Sequence, residues 1–357
     1  MIYEKTCHGG DIYGDRISLD FSANINPLGT PESVCRAAID AIGGICSYPD
    51  PCCRALIDQI SRHENIPPDQ IICGNGAAEL IYSYCNALKP KCALELAPTF
   101  SEYSSAAQSV GCRIERYPLE FKNGFCLSGE FLHTLERGGW DVLFLCNPNN
   151  PTGRLIEPGV LHEICGICNI KGIRLFLDEC FLDLSSDGGK NSMKPHLQCE
   201  TNLFILKAFT KTYGMAGLRL GYGLCSDRKL LSTMSRGVQV WNVSSPAQAA
   251  GVAALKEHGF AAAAREIIKR ERARLSFGLR ELGFLVCESD ANYILFYSSA
   301  DIYDALLGQG ILIRDCSNYH CLSAGWYRIA VKNTDDNTRL LNALKRIVEG
   351  QTWQKTL

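Results

Sequence analysis

A lysine and an arginine eight residues apart lie in the stretch LKAFTKTYGMAGLRLGY, residues 206–222. Lys211 follows a short apolar run that predicts a strand, and Arg219 lies within a second such run. A lysine whose surroundings lower its pKa can form a Schiff base with an aldehyde. An arginine offers a fork of donors that suits a phosphate. The pair therefore indicates covalent binding of a phosphorylated aldehyde, although a lone loop lysine is most often only a solvated surface residue.

Four further motifs each follow an apolar run. GNGAAE at 74–79 opens a predicted helix, whose first backbone N–H groups bind phosphate well. PTFSEY at 98–103 supplies an aromatic residue, and NPNNPTG at 147–153 is a stiff polar turn. DECF at 178–181 puts an aspartate at the end of an apolar run, where a carboxylate is poorly solvated unless paired. Each motif alone fits an ordinary turn or core residue, but together they predict one site at the carboxyl ends of parallel strands.

The order of elements predicts two structural units. From residue 71 onward short apolar runs alternate with helical segments, which is typical of an α/β domain with a mainly parallel sheet. After about residue 240 amphipathic helices and a few strands predict an α+β lobe. We therefore expect a large domain over residues 46–240, a small C-terminal domain over 241–357, and an arm with part of the small domain over 1–45.

These motifs, in this order, resemble those of the fold-type I pyridoxal 5′-phosphate (PLP) enzymes, the aminotransferase superfamily. The resemblance implies a mainly parallel seven-stranded sheet plus a smaller α+β lobe built from the N- and C-terminal segments. It implies PLP as cofactor, with Lys211 and Asp178 as catalytic residues. Lys211 would attach the cofactor, and Asp178 would pair with its ring nitrogen. The cofactor-binding residues that it implies are Gly76, Ala77, Ala78, Phe100, Asn150, Asp178, Thr210, Lys211, Arg219 and Tyr48.

Three positions add detail to this resemblance. Tyr48, in SYPDP, matches a tyrosine that reaches the neighbouring subunit's cofactor, so a homodimer is expected. Phe181 stands where many relatives have a tyrosine that contacts the cofactor's phenolic oxygen. Ala208 replaces a serine or threonine that often binds the phosphate. Both departures remove a secondary contact and leave the essential groups in place.

The N-terminal arm carries the resemblance to a narrower group. DFSANINPLG resembles the substrate-covering arm of histidinol-phosphate aminotransferases, and its combination with an HGG motif is similar to the threonine-phosphate decarboxylase family. Arg328, in WYRIAVK, would clamp the substrate α-carboxylate, while Arg314 and His8 would bind a substrate phosphate. The full set of implied substrate-binding residues is His8, Asn26, Asn150, Arg314 and Arg328. Thr30 and Pro31 begin a predicted helix, with Thr30 as its N-cap.

The function implied by this resemblance is decarboxylation of L-threonine O-3-phosphate to (R)-1-aminopropan-2-yl phosphate in cobalamin biosynthesis. Serine phosphate is a possible variant substrate. One alternative is a PLP-dependent aminotransferase, with histidinol phosphate as the expected substrate. A second alternative is a protein of this fold that binds a ligand without turnover, such as a regulator.

Composition limits the remaining classes. The chain has 357 residues, 46% of them hydrophobic, and a net charge of −2, which predicts neither nucleic-acid binding nor a membrane span. Nineteen cysteines are scattered, several within apolar runs, as expected of small hydrophobic residues in a reducing cytoplasm. Cys165 and Cys168 form a CxxC within a predicted helix and have no second pair at zinc spacing. We therefore expect no metal site and no structural disulfide.

Overall fold

The structure, a computed structural model, describes residues 8–13 and 16–354. The ends of the predicted arm and of the C-terminal domain, at 1–7 and 355–357, lie outside the described residues, as do residues 14 and 15. The strands in chain order are β1 (Leu19–Asp20), β2 (Ile71–Asn75), β3 (Cys92–Ala97), β4 (Arg113–Pro118), β5 (Val142–Cys146), β6 (Arg174–Asp178), β7 (Leu203–Ala208), β8 (Leu220–Cys225), β9 (Leu285–Val286), β10 (Tyr293–Tyr297), β11 (Ile311–Leu312), β12 (Arg314–Asp315) and β13 (Trp326–Ala330).

Most helices connect these strands or cover the sheets that they form. The α-helices in chain order are α1 (Glu32–Ile42), α2 (Arg54–Glu64), α3 (Gly76–Leu88), α4 (Glu102–Ser109), α5 (Glu130–Arg137), α6 (Pro158–Lys171), α7 (Phe209–Thr212), α8 (Arg228–Gly237), α9 (Ser245–Ala254), α10 (Phe260–Glu281), α11 (Tyr303–Leu307) and α12 (Thr334–Gln354). None of the described helices combines the length and the apolar character that crossing a membrane requires.

Seven strands form the large sheet, in the order β2-β8-β7-β6-β5-β3-β4. Only β8 runs antiparallel to its neighbours in this sheet. Strands β5 and β7 are buried along their whole length, which explains the apolar sequence of β5 and the apolar run over residues 203–206 of β7. Along β7, Leu203 and Ile205 enter one hydrophobic core while Phe204 and Leu206 enter the other. The predicted mainly parallel seven-stranded sheet is therefore confirmed.

A smaller lobe joins the two ends of the chain. Strands β12, β13, β10 and β9 form an antiparallel sheet, and β1 pairs in parallel with β11. The backbone N–H of Ala330 also bonds to the carbonyl oxygen of Phe21, at 2.8 Å. Phe21 and β1 share a hydrophobic core with α10 and α12. This confirms the prediction that the N- and C-terminal segments build the small α+β lobe together.

Two local predictions are tested by the described residues. The prediction that Thr30 caps a helix is wrong, because α1 has Pro31 at its N-cap and the Thr30 hydroxyl donates to the carbonyl of Gly214 at 2.9 Å. That bond ties the arm to the loop that follows Lys211. The use of cysteine as a small hydrophobic residue is confirmed at Cys146 and Cys225, which are buried in the core.

Candidate active site

A cavity of about 450 Å³ lies at the carboxyl ends of the large sheet's central strands. It is closed on one side by the N-terminal arm and on the other by the small lobe. The structure brings most of the predicted site residues to its wall. They are His8, Ala77, Ala78, Phe100, Asn150, Asp178, Thr210, Lys211, Arg219, Arg314 and Arg328.

Lys211 lies in the short helix α7, directly after the buried strand β7. Its amine is 5.3 Å from the centre of the Phe181 ring and, among the described residues, has no hydrogen-bond or ion-pair partner. Burial, and after it the nearby charge of Arg328, lower the pKa of Lys211 to about 8. A substantial fraction of the amine is therefore neutral near physiological pH, which is the state that reacts with an aldehyde.

Asp178 is buried at the end of β6 and lines the same cavity as Lys211. Burial raises the pKa of Asp178, and hydrogen bonds from Cys180 and Tyr103 oppose that rise. The Tyr103 hydroxyl donates to Oδ2 at 2.5 Å, and the backbone N–H of Cys180 donates to Oδ1 at 2.9 Å. These donors fix the carboxylate in an otherwise apolar place, where it can hold a proton on a cationic ring nitrogen.

The start of α3 and the side chain of Arg219 form a cradle for an anion. Gly76 begins the helix with a φ of +80°, and a Cβ built there would lie 2.5 Å from Nη2 of Arg219. A Cβ on Gly221, in β8, would lie 2.5 Å from the backbone nitrogen of Ala77. The helix N-terminus, its free N–H groups and the guanidinium can thus approach one phosphate closely.

Arg328 lies on β13 and is buried at the opposite side of the cavity. One terminal nitrogen donates to Oδ1 of Asn150, and the other donates to the carbonyl of Ser22 at 2.7 Å. Because the Asn150 oxygen accepts from Arg328, its amide N–H groups remain to donate to another acceptor. The Nε atom of Arg328 is buried without a partner among the described residues.

Arg314 and Arg328 are direct cross-strand partners in the β12–β13 ladder. Residues opposite each other in an antiparallel pair point to the same face of the sheet. The Arg314 guanidinium packs 5.2 Å from the centre of the Tyr319 ring and donates to Asn318 Oδ1 at 2.8 Å. Two guanidinium groups thus face the same cavity, and their mutual repulsion is relieved by an anionic ligand.

Three predicted site residues lie outside the cavity wall. Gly76 lies behind Ala77, at the base of the anion cradle. Asn26 is buried beneath the lysine loop, where its amide donates to the carbonyl of Thr212 at 2.7 Å. Tyr48 is 77% exposed, and its ring stacks on Trp241 with the ring centres 4.2 Å apart. Within one chain, therefore, neither Asn26 nor Tyr48 reaches the cavity.

Two residues that support the site were missed by sequence reasoning: Glu102, which lines the cavity, and Tyr103, which lies behind it. Tyr103, which bonds to Asp178, and Glu102, which bonds to His8 at 2.7 Å, both lie in the PTFSEY motif from which only Phe100 was selected. Tyr103 is three residues after Phe100 in this motif, and the two rings pack edge to face with their centres 5.6 Å apart. That spacing is the signal that could have identified it.

Known proteins are similar to this chain in both sequence and structure. The sequence pattern described as "Aminotransferase class I and II" matches residues 16–344. A threonine-phosphate decarboxylase from Salmonella typhimurium is 39% identical, over 98% of this chain and 99% of its own. A histidinol-phosphate aminotransferase from Methanococcus aeolicus is 27% identical, over 97% and 94%. The crystal structure of the histidinol-phosphate aminotransferase from Clostridium acetobutylicum superposes with a TM-score of 0.86 at 29% identity, covering 93% of this chain and 99% of that one.

The fold and the cavity together define a PLP-dependent enzyme of fold type I. More narrowly, the chain belongs to the family of class I and II aminotransferases. The residues present fit this cofactor, because a reactive lysine, a buried carboxylate and an anion cradle surround one cavity. Lys211 would attach the cofactor's aldehyde, Asp178 would hold its ring nitrogen, and Arg219 with the start of α3 would hold its phosphate.

The cofactor cradle leads to a first prediction. Gly76→Ala is expected to weaken PLP binding about tenfold, which corresponds to about 1.4 kcal/mol, because the new methyl group displaces Arg219. Fluorescence titration of the cofactor-free protein with PLP measures this. Gly111→Ala is the matched control, since Gly111 has a φ of +81° but no atom within 4 Å of an added Cβ. Equal losses in both variants would contradict the cradle.

The low pKa of Lys211 leads to a second prediction. The rate at which cofactor-free protein takes up PLP should rise about tenfold per pH unit below pH 8 and level off above it, because only the neutral amine reacts. Stopped-flow absorbance measures that rate. Arg328→Gln removes a neighbouring charge that lowers this pKa, so it should move the midpoint to higher pH. A rate that does not change between about pH 6 and 9 would contradict this assignment.

Proposed function

We propose that this protein decarboxylates L-threonine O-3-phosphate and releases (R)-1-aminopropan-2-yl phosphate, a step of cobalamin biosynthesis. The observation that carries the proposal is the pairing of Arg314 with Arg328 on one face of the small sheet, with His8 in the same cavity. A substrate that bears both a carboxylate and a phosphate matches two adjacent guanidinium groups. The 39% identity to a threonine-phosphate decarboxylase along nearly the whole chain supports the same substrate.

The roles of the chain's residues follow from their positions. When bound, PLP supplies a sink for the electrons of a bond that breaks at the substrate Cα. Arg328 binds the carboxylate and orients it, while Arg314 and His8 bind the phosphate. Asp178 would hold a proton on the cofactor's ring nitrogen, and the amide of Asn150 would donate to its phenolic oxygen. Lys211 would return a proton to the substrate Cα after the carboxylate has left as carbon dioxide.

A transaminase is the alternative, with histidinol phosphate and 2-oxoglutarate as its two expected substrates. Histidinol phosphate carries a phosphate but no carboxylate, and 2-oxoglutarate carries two carboxylates, so the reaction itself must distinguish the two functions. A panel of substrates tests the choice. We expect carbon dioxide release from L-threonine O-3-phosphate without any keto acid, with L-serine O-phosphate as a weaker substrate. Turnover of histidinol phosphate that strictly requires 2-oxoglutarate would overturn the proposal.

We also propose that two chains form a homodimer around Tyr48. Several large apolar side chains are exposed in the single chain close to Tyr48 in sequence, at the Trp241 ring that stacks on it, or next to Trp241 in sequence. They are Ile39, Ile42, Ile45, Val240 and Trp241. An exposed apolar set of this kind marks a protein interface. In a dimer the Tyr48 hydroxyl would reach the partner's cofactor phosphate. We further propose a cytoplasmic location and a domain division after residues 45 and 240.

The dimer is a third prediction. The protein should sediment as a particle of twice the 39.3 kDa of one chain, and Ile45→Asp should shift it toward the monomer by placing a charge within the apolar face. Analytical ultracentrifugation measures the change. Ile170→Asp is the control, since Ile170 is 83% exposed on α6, away from this set. A wild-type protein that sediments as a monomer would contradict the prediction.

A further inference from the structure

A carboxylate occupies the part of the cavity where the substrate phosphate is proposed to bind. Glu102 is the first residue of α4 and lines the same cavity as His8. Its Oε1 lies 2.7 Å from Nε2 of His8, and its Oε2 accepts a hydrogen bond from the Tyr82 hydroxyl at 3.3 Å. The side chain of Glu102 is 19% exposed, and that of His8 is 40% exposed. A carboxylate in this position would repel a phosphate unless its charge were engaged by a neighbouring hydrogen-bond donor, here the His8 ring.

The positions of the protons on the Glu102–His8 pair follow from these contacts. The hydrogen bond to His8 lowers the pKa of Glu102, so the carboxylate is ionised at neutral pH and can only accept hydrogen bonds. Nε2 of His8 must therefore carry its proton toward Glu102. The second ring nitrogen, Nδ1, is then left for the cavity. A neutral imidazole in this tautomer presents a lone pair at Nδ1, whereas an imidazolium presents an N–H donor.

We propose that Glu102 is a positioning residue that acts through His8. It holds the ring by Nε2, so that Nδ1 is directed at the phosphate of the substrate and can donate an N–H to it when the ring carries both protons. This inference rests on the proposed function, since it gives the phosphorylated end of that substrate its recognition. Metal-binding His residues gain orientation from carboxylates in the same way, and the principle applies equally to a phosphate-binding His.

Other groups around the cavity also affect the orientation and the surroundings of the His8–Glu102 pair. The Tyr82 hydroxyl holds the second oxygen of Glu102, and the Phe100 ring lies 5.7 Å from the His8 ring, centre to centre. The charged groups elsewhere in the cavity wall are Asp178, Lys211, Arg219, Arg314 and Arg328. Of the wall residues that the structure describes, Glu102 alone has a carboxylate in direct contact with His8. Its effect on the phosphate should therefore pass through that ring.

A double-mutant cycle tests the proposal. Glu102→Gln should raise the KM for L-threonine O-3-phosphate about fivefold and leave kcat within about twofold, since an ion pair at this exposure is worth about 1 kcal/mol or less. His8→Ala should raise KM at least as much. The double variant should be no worse than His8→Ala, because Glu102 has no further role once the ring is gone. Additive losses, or an unchanged KM in Glu102→Gln, would overturn the proposal.

Two controls separate this inference from the proposed function. Glu120→Gln, which breaks an exposed ion pair with Lys122 outside the cavity, should leave both constants unchanged. Absence of any carbon dioxide release by the wild-type enzyme would sink the proposed function and leave the pair to be tested directly. In that test, ¹⁵N NMR of histidine-labelled protein titrated with inorganic phosphate should show a His8 Nδ1 change that is lost or weakened in Glu102→Gln. An Nδ1 response equal in both proteins would overturn the role of Glu102.

Discussion

Lys211→Ala is expected to reduce decarboxylation of L-threonine O-3-phosphate by about 10³-fold or more. The variant loses both the amine that attaches the cofactor and the group that returns a proton to Cα, and proton transfer alone is worth about 10²–10⁴ in rate. The initial rate of carbon dioxide release measures the loss. Absorbance spectra of the purified protein should show, in parallel, that the visible band of covalently held PLP has disappeared.

Two further variants serve as controls for Lys211→Ala. Lys211→Arg keeps a positive charge but cannot form the covalent bond, so it should be as inactive as the alanine variant. Lys229→Ala, at an exposed position on α8, should behave as wild type. A Lys211→Ala protein that keeps its visible band, or more than about a tenth of its activity, would require another residue to hold the cofactor.

Asp178→Asn is expected to lower kcat about 10²-fold with a smaller change in KM. In the proposed function the carboxylate would stabilise positive charge on the cofactor's ring nitrogen, and removing one preorganised electrostatic group typically costs about 10²–10³ in rate. Asparagine has the same shape, its oxygen can still accept from the backbone N–H of Cys180, and its amide N–H can donate to the Tyr103 oxygen, so the fold should be unaffected. Steady-state kinetics with saturating PLP measure the effect.

Tyr103→Phe is the matched comparison for this position. It removes the 2.5 Å hydrogen bond to Asp178 but leaves the carboxylate in place, so its effect on kcat should be smaller, about tenfold. A larger loss in Tyr103→Phe than in Asp178→Asn would contradict the role given to the carboxylate. Equal melting temperatures across the three proteins would show that the kinetic differences do not come from unfolding.

The sequence predicted the large sheet well because its strands are continuous apolar runs that end in chemically distinctive residues. Asp178 ends β6 and Lys211 follows β7, so the parallel arrangement brings them to one edge of the sheet. The cysteine residues within those runs gave no false signal, because a buried thiol packs as a small apolar group.

Features set by contacts between distant segments could not be predicted in this way. The position of Asn26 beneath the lysine loop depends on how the arm packs, and no local pattern encodes it. The cross-strand pairing of Arg314 with Arg328 depends on the register of two strands that are separated by a loop. Glu102 can be identified as a site residue only in the folded structure, where the N-terminal arm places His8 next to it.

The choice between decarboxylation and transamination depends on which bond at Cα is held perpendicular to the cofactor ring. In the proposed function Arg328 would govern this through its hold on the carboxylate, and its own position is fixed by Asn150 and by the carbonyl of Ser22. Small changes in that hold would exchange one reaction for the other. The composition of the motifs does not encode so fine a difference in angle.

The fate of the substrate's carboxylate carbon tests this account most directly. L-threonine O-3-phosphate labelled with ¹³C at the carboxylate should be incubated with the enzyme and PLP, and no keto acid, and followed by NMR. We expect the label to leave entirely as carbon dioxide, and the phosphorylated product to retain its amine. A label that stays in a phosphorylated keto acid, formed only after 2-oxoglutarate is added, would contradict the account.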